Sequence, residues 1–179
     1  MGPEQEDKVK MVVAGITLDQ SNNMPIIILR GEEEEVAIPI WIGLIEASAI
    51  ATELEGIALP RPMTHDLLKN VLETMGGRVL RVEVSDLREN TFYAVLYIEQ
   101  GGAVHQIDAR PSDSIALALR TSAPIFVSRQ VLDKSQHVDM EMLKQALGEG
   151  PDGEGKSDKD RWTEILENLK PEDFGKYKM

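Results

Sequence analysis

The sequence predicts an α+β domain, a duplicated β-β-β-α unit forming a largely antiparallel or mixed sheet with helices packed on one face. Three observations carry this. Short runs rich in Val, Ile and Tyr are separated by turn residues, as hairpin-linked strands require. Each set of three runs ends in apolar residues recurring at helical spacing. The two sets match best at Ile50-Ala51 and Ile115-Ala116, 65 residues apart.

In chain order, Lys8 to Asp19 is rich in Val, Ile and Met and reads as a strand, with SNNMP (Ser21 to Pro25) as its turn. Ile26 to Arg30 is a second strand, and Gly31 with four consecutive glutamates makes a solvated turn. Val36 to Ile40 is a third, with Pro39 pointing to a strand end or a sheet edge. Ala47, Ile50, Ala51 and Leu54 then recur as on a helix that Gly56 ends. A second helix spans Thr64 to Met75, with Leu67, Leu68, Val71, Leu72 and Met75 on one face and Gly76-Gly77 as its stop.

The order then restarts. Val79 to Val84 alternates, with Leu80, Val82 and Val84 on one face. DLREN turns the chain into Phe92 to Glu99, and Gly101-Gly102 is a tight hairpin signal leading to Ala103 to Ala109. Ser112 to Arg120 is the helix of the second set. A short strand, Ile125 to Val127, and a helix, Val138 to Leu147, complete a domain over residues 8–147. Residues 1–7 read as a disordered N-terminus, 148–160 as a flexible linker, and 161–179 as a helical tail. The tail carries Trp162, Ile165, Leu166 and Leu169 on one face, so it is expected to dock on this domain or on a neighbouring subunit.

The 179 residues carry a formal net charge of -12 and no cysteine, so disulfides, a thiolate nucleophile and cysteine zinc sites are excluded. No apolar run approaches the ~20 residues of a membrane helix, and the polar N-terminus is not a targeting peptide, so a cytoplasmic location is expected. An acidic chain as a whole repels phosphate. The stretch from Pro60 to Arg129 differs: it holds eight basic residues, seven of them arginine, against eight acidic ones. A local phosphate-binding surface fits there.

Two Arg-Pro pairs stand out in that stretch, Arg61-Pro62 and Arg110-Pro111. Each leads into a helix through a hydroxyl residue and an acid, Thr64 with Asp66 and Ser112 with Asp113. Helix chemistry alone accounts for much of this, since Thr64 and Ser112 suit N-caps and Asp66 and Asp113 complement the helix dipole. It leaves Arg61, His65, Asp108 and Arg110 unexplained. Strand alternation puts Asp108 and Arg110 on one side, just before a helix N-terminus that favours anions. Arginine forks grip phosphate, carboxylates such as Asp108 and Asp113 hold a hard cation, and a histidine moves protons near neutral pH. His105, His137 and Glu46 read as a sheet-face, a loop and a first-turn residue respectively.

IPIWIGLIEASAI, LPRPMTHDLL and IDARPSDSIALALRTSAPIFV, in this order and spacing, resemble the bifunctional nuclease domain family, formerly a domain of unknown function. The likeness runs from about Lys8 to about Asp133, and the ending KPEDFGKYKM is similar to the tail of bacterial members. The resemblance implies a compact α+β domain, association as a dimer or higher oligomer, and nuclease activity on DNA and RNA. Arg61, Thr64, His65, Asp66, Asp108, Arg110, Ser112 and Asp113 fall within the matching blocks.

Two readings stay open. In the first, the chain is a nuclease using Mg²⁺ or Mn²⁺. Asp108 and Asp113 hold the metal; His65, Asp66 and Asp108 are catalytic; Arg61, Thr64, Arg110 and Ser112 bind substrate. In the second, the same pocket binds a nucleotide, an RNA or a protein without catalysis, as a regulatory module. The acidic charge favours this second reading.

Overall fold

The computed structural model describes residues 7–19 and 22–135. Eleven elements follow in order: β1 (Lys8–Leu18), β2 (Pro25–Gly31), β3 (Ala37–Trp41), α1 (Leu44–Leu54), α2 (Thr64–Thr74), β4 (Gly77–Arg88), β5 (Thr91–Gln100), β6 (Ala103–Ala109), α3 (Pro111–Thr121), β7 (Ile125–Ser128) and α4 (Arg129–Lys134). The β-β-β-α order occurs twice, as expected. The helix expected over Val138 to Leu147, the linker and the tail lie outside the described residues.

One seven-stranded sheet runs in the order β3-β2-β1-β7-β4-β5-β6. Each set of three strands is an antiparallel meander, because short hairpins leave no room for a crossover. β7 joins the two meanders, antiparallel to β1 and parallel to β4, which makes the sheet mixed. The hairpins have the geometry their residues allow. Gly101 and Gly102 sit at φ 59° and 80°, and the β4–β5 turn holds Glu89 and Asn90 at 47° and 60°. Two successive positive φ values match the twist of the flanking strands.

β4 corrects one expectation. Alternation put Leu80 on one face with Val82 and Val84. A bulge between Val79 and Arg81 inserts one residue, so Val79 is buried and Leu80 is half-exposed. The main core gathers Val82, Val84, Leu96, Ile115, Leu117 and Val127 with Ile27, Leu29, Ile38 and Ile50. α1 and α3 pack side by side across it, and Val131 and Leu132 of α4 join the same cluster.

α2 behaves differently from its sequence pattern. None of its residues is buried, and Leu67, Leu68 and Val71 are exposed; Leu72 alone packs partly against the core. The helix rests on α3 and the start of β4, so most of its apolar face looks outward.

Candidate active site at three helix starts

The site begins with the chain leaving β6. Arg110 is the N-cap of α3, and Pro111 takes the first helical position, where its fixed φ fits and its missing amide costs nothing. Ser112 is therefore not the cap; it lies inside the first turn, buried. At α2, Met63 is the N-cap and Thr64 is the first helical residue, so the cap expected at Thr64 falls one residue earlier. Asp66 reaches back to accept the Met63 amide at 2.8 Å.

The first turns of three helices then meet. Arg110 donates through Nε to Asp113 Oδ2 at 2.7 Å and through Nη1 to Glu46 Oε1 of α1 at 2.8 Å. His65, in the first turn of α2, places Nε2 3.0 Å from Asp113 Oδ1. Glu46, Asp113 and Arg110 thus form one chain of contacts with His65 at its end. Burial pushes the Asp113 carboxyl up, but hydrogen bonds from Arg110 and His65 outweigh it and hold the group below the usual aspartate range. An ionised Asp113 has no proton to give. Its contact with His65 therefore requires a hydrogen on Nε2, which leaves Nδ1 as the acceptor of the ring.

A second charged pair frames the first. Arg120 of α3, its side chain only 4% exposed, donates through Nε to Asp66 Oδ1 at 2.5 Å. Its terminal nitrogens reach the carbonyls of Ala116 and Ala49, both at 3.0 Å. The Arg120 hydrogen bond, then the Met63 amide, hold the Asp66 carboxyl below its ordinary value. These contacts fasten the start of α2 to both α1 and α3, which fixes where His65 points.

Two of the expected site residues stand apart. Asp108 pairs with Val95, so it shares the sheet face of Val95, Tyr97 and Glu99, opposite the face of Ala94, Leu96 and Ala109 that the helices cover. Arg110 lies past the strand end, and the turn into α3 swings it to the helix side. Arg61 is exposed in the α1–α2 connection and makes no hydrogen bond or ion pair among the described residues.

Glu46 is the residue that sequence reasoning missed. Its first-turn acidity was legible, but its partner Arg110 is 64 residues away. One of its oxygens, Oε2, is buried without a hydrogen-bond partner among the described residues. Two clefts flank the Glu46–Arg110 contact. One, of about 260 Å³, is lined by His65, Asp113, Thr64 and Arg120 on its polar side and by Ile45, Leu59 and Met63 on its apolar side. The other, of about 320 Å³, is lined by Trp41, Phe92, Asn90, Thr91 and Ser112.

Fold and site together define an open-sheet α+β domain with an aspartate-held histidine and an arginine fork at converging helix starts. The chain belongs to the bifunctional nuclease domain family, whose profile matches residues 27–140. An uncharacterised protein of Mycobacterium tuberculosis is 36% identical over 162 residues, which cover 90% of this chain and 95% of that one. Bifunctional nuclease 1 of Oryza sativa subsp. indica is 26% identical over 116 residues, covering 63% of this chain and 35% of the plant protein. Bifunctional nuclease 2 of Arabidopsis thaliana is 26% identical over 120 residues, covering 62% and 36%.

Proposed function

We propose that the chain hydrolyses phosphodiester bonds of DNA and RNA at this cluster. One observation carries the reading: an oriented histidine and a phosphate-complementary arginine share the same carboxylate, Asp113. Membership of a family described as a bifunctional nuclease domain supports nucleic acid as the substrate. Arg110 receives a non-bridging oxygen of the scissile phosphate on Nη2, the guanidinium nitrogen that Asp113 and Glu46 leave without a hydrogen bond. His65 Nδ1 takes a proton from the attacking water as its oxygen bonds to phosphorus. The bond from phosphorus to the leaving oxygen breaks, and the imidazolium returns the proton to that oxygen. Asp113 holds the tautomer and stabilises the cation formed on His65. Thr64 and Ser112 line the adjoining clefts and serve as substrate contacts. Asp66, bound to Arg120, acts by positioning His65.

A divalent ion such as Mg²⁺ or Mn²⁺ was expected on Asp108 and Asp113. The two do not fit that role as placed, since Asp113 is committed to His65 and Arg110 while Asp108 faces the other side of the sheet. Among the described residues, no group of three or more His, Cys, Asp or Glu side chains is arranged to hold a metal ion. No step is therefore assigned to a metal on these residues, and a chelator tests its participation directly.

The experiment incubates the full chain with single-stranded DNA and with RNA, with added Mg²⁺ or Mn²⁺ or with EDTA. His65→Ala, Asp113→Asn and Arg110→Ala run alongside. Loss of cleavage in all three variants is expected, by about 10²-fold or more where proton transfer is removed. Cleavage that survives all three substitutions overturns the assignment. Binding without cleavage in the wild type favours the regulatory module, a reading supported by the full internal pairing of Asp66 and Arg120.

The protein is further proposed to act in the cytoplasm as a homo-oligomer. Among the described residues no helix is long and apolar enough to cross a membrane. Oligomer formation is supported by the outward apolar face of α2 and by β6, a sheet edge whose backbone can pair with the same edge of a second copy. Sedimentation of Leu67→Glu/Val71→Glu against wild type tests it; an unchanged mass of one chain in both refutes it.

A further inference from the structure

The 320 Å³ cleft beyond the Arg110–Glu46 contact enters the hydrolytic reading only through Arg110 and Ser112, and the rest of its lining is not used there. Its lining is unusual for this chain, which has only three Phe, two Trp and three Tyr. A tryptophan and a phenylalanine meet in it from distant strands, for Trp41 ends the edge strand β3 and Phe92 opens β5. Trp41 is 44% exposed, and its indole Nε1 donates to Asp19 Oδ2 at 3.0 Å, which fixes the orientation of the ring. Asn90 and Thr91 supply amide and hydroxyl groups to the lining, and buried Ser112 belongs to it as well. Arg110 also lines the cleft; its Nε and Nη1 are engaged, and its Nη2 has no hydrogen bond among the described residues.

A planar apolar ring, polar side chains and a guanidinium in one lining match the three parts of a nucleotide. We infer that this cleft is a nucleobase subsite, in which the base stacks on Trp41 while its phosphate lies at Arg110. The phosphate position rests on the hydrolytic reading; the base position rests on the cleft alone. The volume lies at the small end of the range for ligand pockets, about 300–1,000 Å³, which suits one nucleotide. Stacking on a protein ring requires a base free of its neighbours, so the subsite selects an unpaired nucleotide.

The test uses the full chain carrying Trp162→Phe, so that emission reports Trp41, with EDTA present to separate binding from turnover. Nucleoside 5′-monophosphates should bind and quench; ribose 5-phosphate should not quench. In calorimetric titrations, Trp41→Leu should weaken nucleotide binding by about 5- to 150-fold, the range for loss of one base stack, while Trp41→Phe keeps most of it. Equal affinity for nucleotide and ribose 5-phosphate, or binding unaffected by Trp41→Leu, overturns the inference. The two readings fail separately. Nucleotide binding through Trp41 without cleavage removes the hydrolysis and keeps the subsite. Equal cleavage of normal and abasic strands removes the subsite and keeps the hydrolysis.

Discussion

Replacing Asp66 with asparagine tests the frame that holds the site. The side chain keeps its shape and loses its charge, so Arg120 remains buried with two carbonyl contacts and no counter-charge. Removing one partner of a fully buried ion pair costs about 3–5 kcal/mol. Here the Asp66 side chain is 31% exposed, and Arg120 keeps part of its hydrogen bonding, which lowers the figure. The value for one charge-assisted hydrogen bond, about 1.5–3 kcal/mol, is the better guide. At ~2–4 °C per kcal/mol for a domain near this size, the melting temperature should fall by roughly 3–12 °C. Thermal unfolding by circular dichroism at pH 7 measures it. A double-mutant cycle with Arg120→Met isolates the pair, and a coupling below about 0.5 kcal/mol would refute the reasoning. The pH dependence is a second check. The folded carboxyl titrates below its ordinary value of 3.8, so the stabilisation is complete above the unfolded pKa. It is lost as pH falls through the folded value. The gap between wild type and Asp66→Asn should therefore close on acidification below about pH 4.

Three further substitutions address the rest of the structure. Ile115→Ala empties a fully buried position in α3 and should cost about 2–5 kcal/mol by urea denaturation, whereas a cost under about 1 kcal/mol would contradict the packing described. Gly102→Ala forces a side chain into φ 80° and should cost about 1–2 kcal/mol even though nothing crowds the site, again measured by urea denaturation. Arg81→Met removes a guanidinium 3.6 Å above the Tyr97 ring and should cost about 0.5–1 kcal/mol, read from the same unfolding curves.

The strand and helix order was legible because turn residues and apolar periods mark it locally. Val82 and Val84 announce a core face, and Gly101-Gly102 announces its hairpin. The Leu80 error shows the limit: a bulge leaves no compositional trace, and one inserted residue flips every side chain before it. The α2 pattern misled for another reason. Amphipathic spacing specifies that a face needs covering, and it is silent on which surface covers it. At the site, His65, Arg110 and Asp113 were legible as candidates because polar residue types cluster at two helix starts, and the structure brings the three together. Asp108 was misjudged in direction, since alternation gave its side relative to its neighbours in β6 but the turn into α3 decided where Arg110 would go. Glu46 and Arg120 were hidden by sequence distance. Their partners lie 64 and 54 residues away, and a lone glutamate or arginine in a helix has no local sign of such a contact.

The site draws on a break in the repeat. The duplication sets α1 and α3 side by side, so Glu46 and Asp113 come close enough to share Arg110. The first set continues into α2, whereas the second passes directly from α3 to β7. α2 thus has no counterpart after α3, and it brings the histidine. It is also weakly anchored by packing, with no buried residue, so the Asp66–Arg120 pair carries much of the task of placing His65. A helix held mainly by polar contacts at its start is positioned more by charge than by core contacts. Loosening the Asp66–Arg120 contact should therefore harm chemistry more than it harms the fold. Under the hydrolytic reading, Asp66→Asn should lower kcat by more than its stability loss predicts at temperatures well below unfolding, with KM less affected, because Arg110 and its contacts are untouched. An equal loss of KM and kcat, or unaltered turnover in the folded variant, would show that α2 is held by something other than Arg120.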